Sequence, residues 1–343
     1  MAPEAQTQKQ PSPALVFETL NGYQRTQALK AAIELELFTA IGEGNATAKA
    51  IAERCGASER GTRILCDFLT IAGFLNKQDN SYSLTTDSAT FLDKRSPAYM
   101  GTVSEFILSS HIKDKFDRLT DAVRKGGSVA EDEAFQPDHP MWVKFARAMQ
   151  PMMAMPAQLM AQLVDAKHDR PLRILDIAAG HGLFGLAFAR QNPQVQVTAV
   201  DWPKVLEVAK ENAQTAGVAD RYHTNPGSAF DVDYGTGYDL VLLTNFLHHF
   251  DKATCETLLR KVHAALADGG RAVTLEFVPN DDRITPPQAA GFSMQMLGGT
   301  PAGDAYTFAE LEEMFRNAGF SGSEMHELPP SIERVVISKK KVA

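Results

Sequence analysis

Cysteine is scarce in this chain of 343 residues, which contains only Cys55, Cys66 and Cys255. Their spacing matches neither a metal-ligand pattern nor a disulfide framework, and such scarcity is typical of a reducing compartment. No apolar run reaches the ~18 residues that a membrane span needs. The opening residues, MAPEAQTQKQPSPAL, lack the apolar core of a secretory signal. We therefore expect a cytoplasmic protein that binds no metal.

Positive charge is also in short supply, since 34 lysines and arginines stand against 42 acidic residues, giving a net charge of −8. An acidic chain has no general attraction for nucleic acid or for an anionic membrane, so neither partner is expected. The other proportions, 44% hydrophobic and 22% charged, are those of an ordinary globular protein. At roughly 100–200 residues per domain, the length predicts two domains.

The first part of the chain has a helical pattern. Residues 1–13 are polar and are predicted to be disordered, and from Leu15 to about Phe38 apolar residues recur at helical spacing. Thr47 can cap a following helix, and FLNKQDNSYSLT reads as a β-hairpin that turns at its Asp-Asn pair. Helix, turn, helix and hairpin together predict a winged-helix domain over residues 14–105. Residues 106–168 are predicted to be connecting helices that line the active site.

The pattern changes after Pro171. Four short apolar runs, LRILDIA, QVQVTAVD, YDLVLLTN and RAVTLEFV, have the character of buried strands, and helical stretches separate them. This alternation predicts an α/β fold, with a doubly wound, Rossmann-like parallel sheet over residues 169–343. Two further strands, in SGSEMHEL and ERVVISKK, are close enough in sequence to pair with each other.

A glycine-rich turn follows the first of these strands. Gly180, Gly182 and Gly185 match GxGxxG, in which glycine lets the backbone turn sharply and approach a ligand. Asp201 ends the second strand, where an acid can accept hydrogen bonds from the ribose hydroxyls of an adenosine ligand. A glycine-rich turn followed by such an acid can bind the adenosine part of NAD or of S-adenosylmethionine. Asp176 favours S-adenosylmethionine, because its carboxylate would attract the positive amino-acid end of that cofactor and repel a pyrophosphate.

These motifs make the chain similar to the S-adenosylmethionine-dependent small-molecule O-methyltransferases that carry an N-terminal dimerisation domain. That family includes plant caffeate- and flavonoid-type enzymes, acetylserotonin methyltransferase and bacterial polyketide-tailoring enzymes. The resemblance runs from YQRTQALKAAIELELFTAI through LDIAAGHG, AVDWPKVL, GSAF, LHHF and GRAVTLE, in that order. It implies methyl transfer to a hydroxyl of a small aromatic or polyketide-like molecule. It also implies a homodimer formed through the N-terminal domain.

The resemblance also implies a set of cofactor contacts at the carboxyl ends of the strands. They are Asp176, Ala178, Gly180, Gly182, Asp201, Trp202, Ser228, Ala229, Phe230, Thr244 and Asn245. Two departures from the family pattern stand out. Ser228 occupies a position where many relatives have an acid that accepts from the adenine amine, and LDIAAG has two alanines where a glycine run is usual.

A histidine pair follows the fourth strand. A hydroxyl acceptor needs a base that works near pH 7, and histidine has a suitable pKa. The resemblance aligns His248 with the catalytic base of the family and Glu276 with a carboxylate that orients it. Relatives often have aspartate at the position of His249, so which histidine acts stays open. Some relatives have a second carboxylate at a position near Ala305. Alanine cannot replace that carboxylate, although Asp304 is adjacent.

Methionines are concentrated in two segments, and seven of the twelve lie between residues 149 and 160 or at 294 and 296. At helical spacing such residues are most often core. The alternative is a flexible lining for a flat apolar acceptor. For that lining we select Phe145, Met149 and Met294, on segments that relatives use in this way.

Three other functions are weighed against O-methylation. The same pocket could serve a C- or N-methyltransferase or a non-methylating relative. A DNA-binding regulator is disfavoured, because residues 1–100 hold ten basic and eleven acidic residues and the would-be recognition helix, TRILCDFLTIAG, is apolar. An NAD oxidoreductase shares the glycine motif but not the acid within it.

Overall fold

The computed structural model describes residues 10–129, 139–164 and 171–342, which divide into two compact units after Ser104. Most of the predicted disordered segment 1–13 lies outside the described residues. The predicted domain boundary between residues 168 and 169 also lies outside them.

The first unit is mainly helical and contains one β-hairpin. Its elements are α1 (Ala14–Leu20), α2 (Gly22–Glu34), α3 (Leu37–Gly42), α4 (Ala48–Cys55), α5 (Glu59–Ile71), β1 (Leu75–Gln78), β2 (Ser81–Leu84) and α6 (Thr86–Phe91).

Local sequence signals account for most of these boundaries. The Thr47 side chain accepts from the Ala50 N–H at 3.3 Å and caps α4, as predicted. The hairpin is confirmed, with Leu75 opposite Leu84 and antiparallel pairing up to the turn. The helical pattern from Leu15 to about Phe38 corresponds to three helices, α1, α2 and α3. The second break lies at Glu36, whose φ of 54° is left-handed.

The second unit is built around one large sheet. Its elements are α7 (Val103–Ile107, which begins just before the division), α8 (Ser110–Asp117), α9 (Leu119–Lys125), α10 (Pro140–Leu163), β3 (Leu172–Ile177), α11 (Leu183–Gln191), β4 (Val195–Asp201), α12 (Pro203–Thr215), β5 (Tyr222–Pro226), β6 (Tyr238–Thr244), α13 (Lys252–Ala265), β7 (Leu266–Glu276), α14 (Pro287–Gly299), α15 (Phe308–Asn317), β8 (Gly322–Glu327) and β9 (Arg334–Lys339).

The sheet has seven strands in the order β5-β4-β3-β6-β7-β9-β8. The first five are parallel, whereas β9 runs antiparallel to both β7 and β8. The four apolar runs and the terminal pair are therefore confirmed as strands. Strand β5 was missed, because its sequence YHTNP has no apolar run and only Tyr222 is buried.

Helices cover both faces of this sheet, so successive residues of one strand enter different cores. Ile174 packs in a cluster with residues of α10, α11 and α12. Leu175 packs in a second cluster with residues of α13 and α15. Burial on both faces explains why the parallel strands appear in the sequence as continuous apolar runs.

Helix α10 carries the methionine-rich segment over 24 residues and includes Pro151 and Pro156. Met153 and Met160 belong to the core cluster on its face of the sheet. The core interpretation therefore holds for these two methionines. Neither α10 nor any other described helix is long and apolar enough to cross a membrane.

Parallel strands bring their carboxyl ends to one edge of the sheet, and this edge collects the polar residues. Asp201 ends β4, Thr244 ends β6 and Glu276 ends β7. Because β9 is antiparallel to β7, its first residue, Arg334, lies opposite Glu276 at the same edge. Ligands of doubly wound folds bind at such an edge.

The glycine turn after β3 has little room for side chains. Gly182 has a left-handed φ of 75°, and a Cβ there would lie 2.6 Å from the Tyr222 hydroxyl and 3.0 Å from the Ala209 Cβ. A Cβ at Gly185 would lie 2.8 Å from Val197 and 2.9 Å from the Asp176 carboxylate. These glycines let the turn and α11 pack directly on neighbouring elements.

We expect Gly182→Ala to destabilise the protein more than Gly217→Ala does. Both glycines have left-handed φ, 75° and 69°, but a Cβ at Gly217 meets nothing within 4 Å. The left-handed conformation costs an alanine about 1–2 kcal/mol at either site. Overpacking adds about 1–3 kcal/mol at Gly182 alone. Urea unfolding measures the free energy of unfolding of both variants, and equal losses would contradict the packing argument.

Candidate active site

The end of β4 is joined to the glycine turn through one carboxylate. Asp201 Oδ2 accepts from the Gly180 N–H at 2.8 Å, and its Oδ1 accepts from the Trp202 N–H at 2.7 Å. Burial raises the pKa of Asp201 to about 6, although both N–H groups act to lower it. Each oxygen keeps a second lone pair, so the carboxylate can still accept from the two hydroxyls of a ribose.

Asp176 lies beneath this turn and is fully buried. Its Oδ2 accepts from the Gly185 N–H at 3.1 Å, and its Oδ1 has no hydrogen-bond partner among the described residues. Burial raises the pKa of Asp176 to about 7; the Gly185 N–H opposes this effect and the Asp201 charge adds to it. Contact of Asp176 with a cofactor stays a prediction. Its hydrogen bond to the Gly185 N–H shows that it supports the start of α11.

Alanine takes the place of glycine at Ala178, and its φ of 55° is left-handed. The turn continues with Gly180, which has a φ of 56°. The Gly182 N–H closes the turn on the Ala179 carbonyl at 2.7 Å. Ala178 and Gly180 are therefore both left-handed, and the alanine sits in a conformation that L-residues seldom adopt.

The GSAF segment follows β5 and is tied to the same edge. The Gly227 N–H donates to the Asp201 carbonyl at 2.9 Å. The Ser228 hydroxyl accepts from the Phe230 N–H at 3.1 Å, and Lys261 Nζ donates to the Ala229 and Phe230 carbonyls. Ser228 keeps a lone pair for an adenine amine, so its predicted role stays open.

These features fit an adenosine ligand. Asp201 is presented beside a cradle of small residues and left-handed backbone, with the GSAF segment tethered next to it. Trp202 follows Asp201, is only partly buried and packs with Ala146, Val205 and Val208. Acid, cradle and aromatic surface occur together as an adenosine pocket requires.

The end of β7 holds the strongest polar contact of the site. Glu276 Oε2 lies 2.5 Å from His248 Nδ1, and both side chains are almost completely buried. Glu276 Oε1 accepts from three consecutive backbone N–H groups, those of Phe246, Leu247 and His248, at 3.0, 2.9 and 3.4 Å. The carboxylate thus places the proton on Nδ1 of the imidazole and leaves Nε2 as an acceptor.

His249 lies beside this pair but in a different environment. Its ring centroid is 4.4 Å from that of His248 and 5.8 Å from that of Trp142. Burial lowers the pKa of His249 well below its usual range, and the charges of His248 and Lys115 act in the same direction. His249 is therefore uncharged at neutral pH, whereas Glu276 can stabilise a charge on His248.

Aromatic side chains surround the histidines, and two of them, Phe292 and Trp142, were not predicted from the sequence. The Phe292 ring lies 4.9 Å from the His248 ring and stacks on Phe277 at 4.0 Å. The ring centroid of Trp142 lies 5.8 Å from those of both His249 and Phe145. Phe292 lies four residues before the buried Met296 on α14, and this spacing places both residues on one face of the helix. It could have indicated that Phe292 faces inward.

The three residues that are predicted to contact the methyl acceptor lie in different environments. Phe145 packs against Phe106 at 4.9 Å and against Trp142. Met149 is buried on α10, and Met294 is 49% exposed on α14. The acceptor role of all three stays a prediction.

The second carboxylate implied by the resemblance has no counterpart at Ala305. That residue is buried, and the neighbouring Asp304 accepts from Arg283 at 3.2 Å and from the Ala305 N–H at 2.8 Å. Gly303 packs tightly on the histidine turn, since a Cβ there would lie 2.1 Å from the His248 carbonyl oxygen. Among the described residues, no group of three or more His, Cys, Asp or Glu side chains could hold a metal ion.

Comparisons with known families and structures agree with this geometry. Residues 111–321 match the O-methyltransferase domain, and residues 17–94 match the O-methyltransferase dimerisation domain. The 3-hydroxy-5-methyl-1-naphthoate 3-O-methyltransferase of Streptomyces sahachiroi is 32% identical over 315 residues, which cover 90% of each chain.

Solved structures carry the same fold. A provisionally named O-methyltransferase of Nostoc punctiforme superposes with a TM-score of 0.93 at 57% identity, over 97% of this chain and 100% of that one. Human N-acetylserotonin methyltransferase, solved in complex with S-adenosylmethionine, gives a TM-score of 0.84 at 22% identity, over 98% and 100% of the two chains. The chain therefore belongs to the O-methyltransferase family with an N-terminal dimerisation domain, and it is an S-adenosylmethionine-dependent methyltransferase.

Proposed function

We propose that this enzyme methylates a hydroxyl of a small aromatic or polyketide-like molecule and that His248 is its general base. The observation that carries the proposal is the buried pair of His248 and Glu276, which leaves Nε2 as the proton acceptor. The similarity to a naphthoate O-methyltransferase supports the aromatic acceptor class.

The cofactor would be held along the carboxyl edge of the sheet. Asp201 would accept from the ribose hydroxyls, Trp202 and Phe230 would flank the adenine, and Gly180 would face the methionine end. Asp176, Ala178, Gly182, Ser228, Ala229, Thr244 and Asn245 complete the set that we propose. S-adenosylmethionine supplies a methyl group that its positively charged sulfur already activates.

His248 would then perform the proton transfer. Its Nε2 would take the proton from the hydroxyl group of the substrate. The oxygen of that hydroxyl would form a bond to the methyl carbon while the bond between that carbon and sulfur breaks. Glu276 stabilises the resulting imidazolium through Nδ1–H, at the 2.5 Å contact. The products are the methyl ether and S-adenosylhomocysteine. His249, whose pKa is lowered, stays neutral and offers a ring surface instead.

The acceptor would lie against the aromatic side chains around the histidines. Phe292 and Trp142 present ring faces and edges within 6 Å of the two imidazoles. We place Phe145, Met149 and Met294 in the same lining. Flat rings pack well against such a surface, and methionine adapts to their shape.

His248→Ala is expected to lower kcat for methylation of a hydroxynaphthoate by ~10²–10⁴-fold, the usual contribution of a general base. The affinity for S-adenosylhomocysteine should not change, because the substitution leaves Asp201 and the glycine turn intact. Mass spectrometry of the product measures turnover, and calorimetry measures binding. His223→Ala, which removes an exposed histidine bound to Gln196, is the matched control.

Near-full turnover by His248→Ala would contradict the base assignment. A product methylated on carbon or nitrogen, seen by NMR, would instead favour the alternative in which the same pocket serves a C- or N-methyltransferase. Wild-type enzyme that binds S-adenosylhomocysteine but methylates no hydroxylated aromatic would contradict the acceptor class.

We further propose that the chain forms a homodimer through its first unit. The match to the dimerisation domain supports this, as does a row of exposed apolar side chains on α1 and the start of α2. They are Leu15, Val16, Phe17, Leu20 and Tyr23. An apolar row of this kind is typical of a surface that is covered in an assembly. The cytoplasmic location stays a prediction.

The double substitution Phe17→Asp with Leu20→Asp should give a monomer, because a desolvated interface does not accept unpaired carboxylates. Sedimentation should report twice 37.4 kDa for the wild type and one chain mass for the variant. Ile284→Asp, at a 71% exposed site in the second unit, is the control and should remain a dimer. A double variant that stays dimeric would refute this interface.

A further inference from the structure

Tyr222 is the one buried residue of β5, and its ring packs in the core cluster that α11 and α12 share with the sheet. Its hydroxyl oxygen is also buried, and among the described residues it has no hydrogen-bond partner. A buried hydroxyl without a partner is destabilising, and a phenylalanine would fill the same space without that cost. The hydroxyl is therefore expected to have a polar partner nearby.

Asp176 is the polar side chain that the register of the sheet brings towards this hydroxyl. Asp176 pairs with Ala199 of β4. Tyr222 pairs with Val197, which lies two residues earlier on the same strand. Alternate residues of a strand, and the register partners beside them, point to one face of a sheet. Asp176 and Tyr222 therefore lie on the same face, beneath α11.

Two glycines of the cofactor turn show how close these side chains come. A Cβ at Gly185 would lie 2.9 Å from Asp176 Oδ2 and 3.6 Å from the ring carbon Cε2 of Tyr222. The tyrosine ring thus passes beneath the start of α11, beside the carboxylate. Its hydroxyl continues under the turn, where a Cβ at Gly182 would lie 2.6 Å from the hydroxyl oxygen.

The carboxylate has one unsatisfied oxygen, and it matches the unsatisfied hydroxyl. Asp176 Oδ2 accepts from the Gly185 N–H at 3.1 Å, whereas the buried Oδ1 has no partner among the described residues. Oδ1 is an acceptor and the hydroxyl of Tyr222 is a donor, so each group can satisfy the other. They make no direct hydrogen bond. One bridging water, which needs at least two polar partners, would satisfy both groups.

We propose that one buried water joins the Tyr222 hydroxyl to Asp176 Oδ1, and that Tyr222 is thereby a positioning residue for the cofactor. Through this water, Tyr222 stabilises the ionised form of Asp176 and fixes the carboxylate beneath the glycine turn. Ionised Asp176 attracts the positively charged amino-acid end of S-adenosylmethionine. This last step rests on the proposed function, which places Asp176 in the cofactor site.

The charged groups near Asp176 determine how its ionisation depends on pH. Burial raises the pKa of Asp176 to about 7; the Gly185 N–H lowers it, and the charge of Asp201 on β4 raises it. Burial lowers the pKa of His181 in the glycine turn to about 4, so that ring is neutral. Burial and the charges of the two acids raise the pKa of Tyr222, which therefore stays a donor. The charged side chains of α10, α11 and α12 are exposed.

Tyr222→Phe tests the pairing, because phenylalanine keeps the ring and removes only the hydroxyl. Urea unfolding is measured at about pH 8, above the Asp176 pKa of about 7. The variant should have a lower unfolding midpoint than the wild type, because the water and the carboxylate lose a donor. A higher midpoint would overturn the proposal, since that is the effect of removing a buried hydroxyl that has no partner.

The cofactor readout is the calorimetric affinity for S-adenosylhomocysteine, which keeps the charged amino-acid end. Loss of a donor to the ionised carboxylate raises the pKa of Asp176, so its attraction for the ligand is lost at a higher pH. Tyr222→Phe should therefore bind roughly tenfold more weakly than the wild type at about pH 6 and equally at about pH 9. Asp201 titrates in both proteins and cancels in this ratio. In an Asp176→Asn background, the effect of Tyr222→Phe should not depend on pH, because asparagine does not ionise.

Tyr238→Phe is the matched control. It removes a second buried tyrosine hydroxyl of the same sheet, which donates to the Tyr234 carbonyl at 2.9 Å. This variant should also lower the unfolding midpoint, but its affinity for S-adenosylhomocysteine should follow that of the wild type at every pH. A merely structural role of Tyr222 would give the same pattern as this control.

A high-resolution crystal structure completes the test, and it should show a water within about 3.2 Å of both Tyr222 Oη and Asp176 Oδ1. Absence of that water would overturn the proposal, as would equal ligand affinities of the wild type and Tyr222→Phe at low pH. Equal affinities of the wild type and Asp176→Asn at every pH would instead refute the cofactor role of Asp176 in the proposed function. The unfolding comparison and the electron density would still decide the pairing.

Discussion

One carboxylate, that of Glu276, organises the end of the sheet at which we propose that the reaction takes place. It is buried at the end of β7, accepts three consecutive backbone N–H groups and contacts His248 Nδ1. The backbone bonds fix where the carboxylate points, and the contact with Nδ1 fixes which imidazole nitrogen carries the proton. Because a buried charge is tolerated only when its lone pairs are satisfied, the turn and the carboxylate depend on each other. The proposed base is therefore built together with the chain reversal that follows β6.

The proposed adenosine site repeats this arrangement with a different acid. Asp201 binds the Gly180 and Trp202 N–H groups at the end of β4, so each half joins a strand end to a backbone turn through a carboxylate. The parallel strands bring the two halves to one edge, where the sheet order turns back at β3 and β6. Burial raises the pKa of Asp201 to about 6, and a cationic cofactor would favour the ionised form that the ribose requires. If Asp201 binds the ribose as proposed, cofactor binding and the charge of this residue are coupled for that reason.

Much of this arrangement is visible in the sequence, for physical reasons. Strands buried on both faces leave continuous apolar runs, and the glycines at Gly182 and Gly185 are required by contacts that a Cβ would violate. Strand β5 leaves no such trace, since only Tyr222 of its five residues is buried. Phe292 was not found either. Its spacing from Met296 marks one face of α14, but only the tertiary fold brings that helix to His248.

Base-assisted transfer depends on the direction in which His248 Nε2 points. A crystal structure of the enzyme with S-adenosylhomocysteine tests this most directly, because the sulfur marks where the transferred methyl group would be. We predict that His248 Nε2 faces the acceptor space beyond the sulfur, with Nδ1 still bound to Glu276. A complex in which His248 points away from that space, with His249 or no histidine facing it, would contradict base-assisted transfer by this pair.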